Sequence, residues 1–175
     1  MGTKEASPRT MMDVYKAFPE GTLAELVEGI IHLSPSPAKA HQRLLLRLAS
    51  ELNAHVVRHA LGEIFIAPLD VYLDQYSNAV QPDIIFVAAA KGSIVRDHVQ
   101  GVPDMLIEIL SPGNRDYDLK KKKDLYEKFG VKEYWIADPV TKETIGYQLR
   151  EGKYEALTAS IGVLTSPLLN QDFYF

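Results

Sequence analysis

Cysteine is absent from the 175-residue chain. Disulfides, thiolate metal sites and cysteine nucleophiles are therefore excluded, and any metal site must use carboxylates, carbonyls or histidine. No run of about 18 apolar residues is present to span a bilayer, and the opening MGTKEASPRT lacks the apolar stretch of a signal peptide. Together these absences give the expectation of a cytoplasmic protein. An excess of basic charge is lacking too. A formal net charge of −4 argues against a protein that coats nucleic acid nonspecifically, because such proteins gain most of their affinity from Lys and Arg neutralising phosphates. An enzyme acting on nucleic acid is not excluded: carboxylates gathered for a cation drive the total negative while a local basic face still meets phosphate. Arg115, Lys120, Lys121, Lys123, Lys128 and Lys132 are the candidates for such a face.

What is present suits one compact domain. Hydrophobic residues make up 46% of the chain, enough for a sizeable core, and the expectation is a single domain over 1–175 whose first ten residues or so are loose. MDVYKAF reads as a short helix. TLAELVEGIIHLSP reads as two short strands around a Glu28–Gly29 turn. From Lys39 to Ala60, Leu44, Leu45, Leu48, Leu52 and Val56 recur at helical spacing until Gly62 stops the run. EIFIAPLDVYLD is a strand interrupted at Pro68, and QPDIIFVAAA and PDMLIEILSP are short, branched and apolar, as central strands are. VKEYWIADP is a further strand, in which Tyr134 and Trp135 read as core, and TIGYQLREGKYEAL is a hairpin across Glu151–Gly152. The order predicts an α/β sandwich layered helix, sheet, helix.

Three residues break this pattern. Between the last two buried strands, RDYDLKKKKDLYEKFG predicts a helix over 116–129, with Leu119, Leu125, Tyr126 and Phe129 in one apolar sector and Lys122 at its centre. Lys120 and Lys121 point away from that sector and Lys123 lies at its edge. Asp83 opens the apolar run IIFV, and Glu108 is embedded in LIEIL, on the strand face shared by Leu106 and Leu110. Ionised carboxylates almost never sit inside unpaired, since desolvation costs several kcal/mol per ion. A helix packed back over the Glu108 face would bring Lys122 to that carboxylate. Each residue also has a plainer reading: Lys122 can snorkel to the rim, Glu108 can form a structural ion pair, and Asp83 can cap a turn.

The stretches AELVEGIIHLSPSPAKAHQ, PLDVYLD, QPDIIFV, GVPDMLIEILSPGNRDYDLKKKKDLYEKFGVKEYWIADP and the closing hairpin resemble, in order from about Leu23 to the end, the Uma-two family of restriction endonucleases, within the PD-(D/E)XK nuclease superfamily. The resemblance implies a restriction-endonuclease-like α/β core, with a mixed central sheet flanked by helices and an N-terminal and a C-terminal β-hairpin. It implies Asp83 as the aspartate of the PD motif and Glu108 as the acid of the next strand. The superfamily lysine two residues on is Leu110 here, and the family supplies it from the following helix at the position matching Lys122. Glu25 in AELVEG matches a further family acid, with Glu28 beside it as a lesser candidate, and His41 matches a family histidine.

The chemistry implied is hydrolysis of DNA phosphodiester bonds with Mg²⁺, for which Mn²⁺ can substitute, held by Asp83 and Glu108. Catalysis would fall to Asp83, Glu108, Lys122 and Glu25. Cleavage of both strands would suit a homodimer. The rival is a catalytically silent relative that keeps the same acids as an ion-pair cluster and binds a partner.

Overall fold

The computed structural model describes residues 10–113 and 115–175, so the looseness expected of the first nine residues lies outside what is described. The chain runs α1 (Met11–Lys16), β1 (Ala24–Val27), β2 (Ile30–Leu33), α2 (Lys39–Arg58), β3 (Gly62–Ile66), β4 (Val71–Tyr72), β5 (Ala79–Val80) and β6 (Ile84–Ala88). A 3₁₀ turn (Ala89–Ile94) leads to β7 (Val99–Gln100) and β8 (Met105–Ile109). A π-helical turn (Tyr117–Lys122) runs directly into α3 (Lys123–Phe129), followed by β9 (Glu133–Ala137), β10 (Glu143–Arg150), β11 (Lys153–Ala156), β12 (Ser160–Ile161), β13 (Val163–Ser166) and β14 (Gln171–Tyr174).

The apolar runs without alternation become the middle of a sheet covered on both faces, because only a strand buried on both sides can carry consecutive apolar residues. That sheet has the order β11-β10-β9-β8-β6-β3, with β12 alongside β10. β8 and β9 are parallel while β6 and β8 are antiparallel. Along β8 the pleat divides the side chains as alternation requires. Met105, Ile107 and Ile109 pack with Leu44, Leu48, Leu52 and Val56 of α2, and Leu106 and Leu110 pack on the opposite face with Leu125 and Tyr126 of α3.

The layering departs from helix, sheet, helix. A second sheet of five short strands, ordered β2-β1-β5-β4-β7, shares the second face with α3, placing Val27, Val71, Val80 and Val99 against Ile85 and Leu106. The run EIFIAPLDVYLD splits at Pro68 between the two sheets. β4, β5 and β7 have two residues each, too few for any periodicity to register. A further hairpin, β13–β14, lays Leu164 and Phe173 on the α2 side.

Two buried carboxylates tie neighbouring segments together. Glu133 accepts from Trp135 Nε1 at 3.0 Å and Ser166 Oγ at 2.7 Å, as well as from the Leu168 N–H, and so ties the β13–β14 hairpin to β9. Asp104 accepts the Ala88 N–H at 2.9 Å and faces the ammonium groups of Lys132 at 2.8 Å and Lys91 at 3.3 Å.

Opposite Trp135, β10 carries Gly146, where an added Cβ would lie 2.3 Å from the indole ring. Gly146→Ala therefore overpacks the core and should lower unfolding free energy by about 1–3 kcal/mol, visible as a reduced thermal midpoint; an unchanged midpoint would show that the indole is free to move aside.

Candidate functional site

Four segments distant in sequence meet at one end of the central sheet: β1, the start of α2, the junction of β6 with β8, and the π-helical turn. Pro82 and Asp83 stand just ahead of β6, whose partner β8 ends at Ile109. Asp83 Oδ2 accepts the Ile109 N–H at 2.7 Å and lies 3.1 Å from His41 Nε2. Because an ionised carboxylate only accepts, Nε2 donates to it. The other ring nitrogen, Nδ1, is buried without a hydrogen-bond partner among the described residues.

On the neighbouring strand, Glu108 points toward α3. Its Oε1 accepts from Lys122 Nζ at 2.9 Å and from the Tyr126 hydroxyl at 2.9 Å. Glu25 comes from β1 in the second sheet; its Oε1 is 3.0 Å from Lys122 Nζ and accepts the Gln81 N–H at 2.9 Å. Lys122 is 5% exposed, so the ammonium neither snorkels nor reaches bulk water. The π-helical turn puts Asp118 on the same inward side four residues earlier, its Oδ1 3.8 Å from Nζ. Glu25, His41, Asp83, Glu108, Asp118 and Lys122 line one cavity of about 170 Å³.

The expected residues do not all gather there. Glu28 occupies the β1–β2 turn with φ 51°, and its carboxylate is solvent-exposed, 3.4 Å from Lys121. Of the expected basic face, Lys132 sits on buried Asp104 and Arg115 pairs with Asp138 at 3.5 Å and Glu143 at 3.7 Å. Lys120, Lys121 and Lys128 are exposed. Asp118, Gln81 and the Tyr126 hydroxyl are additions that the sequence reading lacks. Asp118 is within reach of the helical spacing that singles out Lys122, since residues four apart share a helix face; Gln81 acts through its backbone and leaves no pattern.

Four carboxylates against one ammonium in a poorly solvated cavity perturb one another. Burial pushes the Glu108 carboxyl well up, with Asp118, Asp83 and Glu25 adding to the effect and Lys122 opposing it. Asp118 is pushed up to about 6, chiefly by burial. Burial alone would lower Lys122, but Glu108, Glu25 and Asp118 outweigh it and hold the ammonium above its ordinary value. Lys122 stays charged, with Glu108, Glu25 and Asp118 arranged around it. Among the described residues no three His, Asp or Glu side chains already converge tightly enough to hold a metal ion.

Residues 12–172 match the family model Uma2, described as "Putative restriction endonuclease". No curated protein matches the chain. Among solved structures, the chain is similar to a protein from Anabaena variabilis ATCC 29413 described as a "putative nuclease belonging to DUF820", at 21% identity and a TM-score of 0.75, over 93% of this chain and 92% of that chain. At that identity the likeness establishes the mixed α/β fold, with its sheets and flanking helices.

Asp118 makes stability depend on pH in a defined direction. It binds its proton more tightly in the folded chain, near 6, than at its ordinary value of 3.8. Unfolding therefore releases that proton, and stability falls as pH rises from about 4 to about 6. Urea unfolding across that window should show a shallower fall for Asp118→Asn than for the wild type, and identical slopes would contradict the assignment.

Proposed function

The chain belongs to the Uma2 family, and from that premise we propose that it is a metal-dependent endonuclease that hydrolyses phosphodiester bonds of DNA. The observation that carries the reading is the buried Lys122 ammonium, 2.9 Å from Glu108 and 3.0 Å from Glu25, in the same cavity as Asp83.

The donor set suits Mg²⁺ or Mn²⁺. Asp83 and Glu108 offer hard oxygens, and Asp83 Oδ1 and Glu108 Oε2 accept no hydrogen bond among the described residues. The excess of buried carboxylate favours a divalent ion. Mg²⁺ commonly takes only one or two protein carboxylates, with water and substrate phosphate completing its shell, so a site without three converged ligands suits it. Asp83 and Glu108 would hold the ion, which when bound polarises the phosphate and acidifies a water.

The chain's own groups divide the remaining work. The Ile109 N–H and His41 fix the Asp83 carboxylate in orientation. Lys122 presents a permanent positive charge to the phosphate and stabilises the negative charge that develops during hydrolysis. Glu25, pinned by the Gln81 N–H, keeps that ammonium charged and aimed. Glu28 lies too far toward solvent to share in this and pairs with Lys121, and exposed Lys120 and Lys128 are left for the DNA backbone.

A catalytically silent binding protein is the second reading, favoured by one observation: Glu108 is already engaged by Lys122 and Tyr126. Thermal melting with and without Mn²⁺ separates the two, because a ligand bound only by the folded state raises the midpoint.

Asp83→Asn, which keeps the side-chain size, should abolish calorimetric Mn²⁺ binding. Both Asp83→Asn and Lys122→Met should slow DNA cleavage by about 10²-fold or more. Equal cleavage by the wild type and both variants would overturn the reading.

A further inference from the structure

Asp118 is the one buried carboxylate of the cavity whose circumstances the endonuclease reading does not explain. It is 4% exposed, yet its carboxylate accepts no hydrogen bond among the described residues, and its only ion-pair partner, Lys122 Nζ, is 3.8 Å away. That distance is beyond hydrogen-bonding range. The structural acids of the same protein behave otherwise. Asp104 holds a backbone N–H and two ammonium groups, and Glu133 holds an indole, a hydroxyl and a backbone N–H. The Asp118 oxygens are not among the sealed, unpartnered atoms of the described residues and open onto the cavity. An acid held in a site without a protein donor departs from the local rules that structural acids follow.

The reason lies in the geometry around Lys122. The ammonium has three N–H donors; it donates one to Glu108 Oε1 and lies 3.0 Å from Glu25 Oε1 in an ion pair. Asp118 Oδ1, 3.8 Å from the same nitrogen, is just outside the ordinary N–H···O separation of about 2.7–3.2 Å. Its position is fixed by the π-helical turn, which is itself pinned where the Tyr134 hydroxyl donates to the Asp118 carbonyl at 3.0 Å. A divalent cation on the free Glu108 Oε2 would lie across one carboxylate from the Lys122 ammonium on Oε1 and repel it. The ammonium then needs another acceptor if it is to stay buried, charged and in the cavity.

We propose that Asp118 is a positioning residue that draws in and holds the Lys122 ammonium, 3.8 Å away, when a cation on Glu108 would repel it. It holds the lysine in the cavity together with Glu25. The role rests on the endonuclease reading, and Asp118 binds neither the cation nor the DNA in it.

The test uses the full chain carrying Asp118→Asn or Asp118→Glu, with steady-state cleavage, Mn²⁺ calorimetry and thermal melting. For Asp118→Asn, kcat should fall by about 10²-fold, as misplaced groups commonly cost, while KM stays within about twofold, the pattern of an interaction lost only at the transition state. Mn²⁺ affinity should stay within about threefold and the melting midpoint should not fall. Asp118→Glu should recover part of kcat. An unchanged kcat overturns the role, and so does a lowered midpoint with kcat unchanged per folded molecule, which would mark a structural ion pair. Loss of Mn²⁺ binding in Asp118→Asn overturns it in favour of a metal ligand. Wild type that neither binds Mn²⁺ nor cleaves DNA overturns both this role and the endonuclease reading. Wild type that does both, with Asp118→Asn equal to it, overturns this role alone.

Discussion

Burying the Lys122 ammonium is the constraint from which the rest of the site follows. An ion removed from water is tolerated only with close partners of opposite charge that are themselves hydrogen-bonded. Glu108 and Glu25 meet that condition at 2.9 and 3.0 Å. They are held in turn by the Tyr126 hydroxyl and the Gln81 N–H. The three charges come from the central sheet, the second sheet and the helical segment between β8 and β9. One interaction therefore ties together elements that apolar packing alone would leave free to slide. Removing either carboxylate would strand a charge, which is why these elements carry polar residues where their neighbours are apolar.

Buried acids alone do not mark a site, since this fold contains several. What separates them is how many partners face them. Asp104 and Glu133 each face three, although Asp104 Oδ1 meets its two ammonium groups as ion pairs without a hydrogen bond, and both read as structural ties between neighbouring segments. The cavity acids are under-bonded: Asp83 and Glu108 each leave an oxygen without a hydrogen bond among the described residues, and His41 Nδ1 is buried without a partner. Unused capacity of this kind costs stability and is retained where a ligand completes it.

Much of this is legible in the chain because side-chain periodicity is short-ranged. Helical spacing alone aims Lys122 inward, and strand alternation alone puts Glu108 with Leu106 and Leu110 on the face that α3 covers. The long helix, the central strands and the β1–β2 turn follow from the same rules. The second sheet is not legible, because two-residue strands carry no period and their pairing is set by tertiary contacts. Lys132 and Arg115 read as a basic face in the chain, but spacing says nothing of acids such as Asp104 and Asp138 brought in from elsewhere. Glu28 is a candidate by adjacency to Glu25, yet a turn residue at φ 51° faces away from the strand that Glu25 shares.

The departure at Leu110 bears on how the site is built. Where the PD-(D/E)XK pattern that the sequence resembles has a lysine two residues after the strand acid, this chain has a leucine that is 7% exposed and packed in the core beneath α3. The ammonium instead arrives from a residue 14 positions beyond Glu108. A lysine on the same strand is aligned by the pleat whenever the strand forms. A lysine on a helical segment is aligned only when that segment docks, with Leu125 and Tyr126 seated against the sheet. The charge and the apolar contacts that position it are then parts of one packing event. Tyr126 joins them most directly, since its ring lies in the core while its hydroxyl donates to Glu108. Loosening the core beneath α3 would therefore disorder the cavity before it unfolded the sheet.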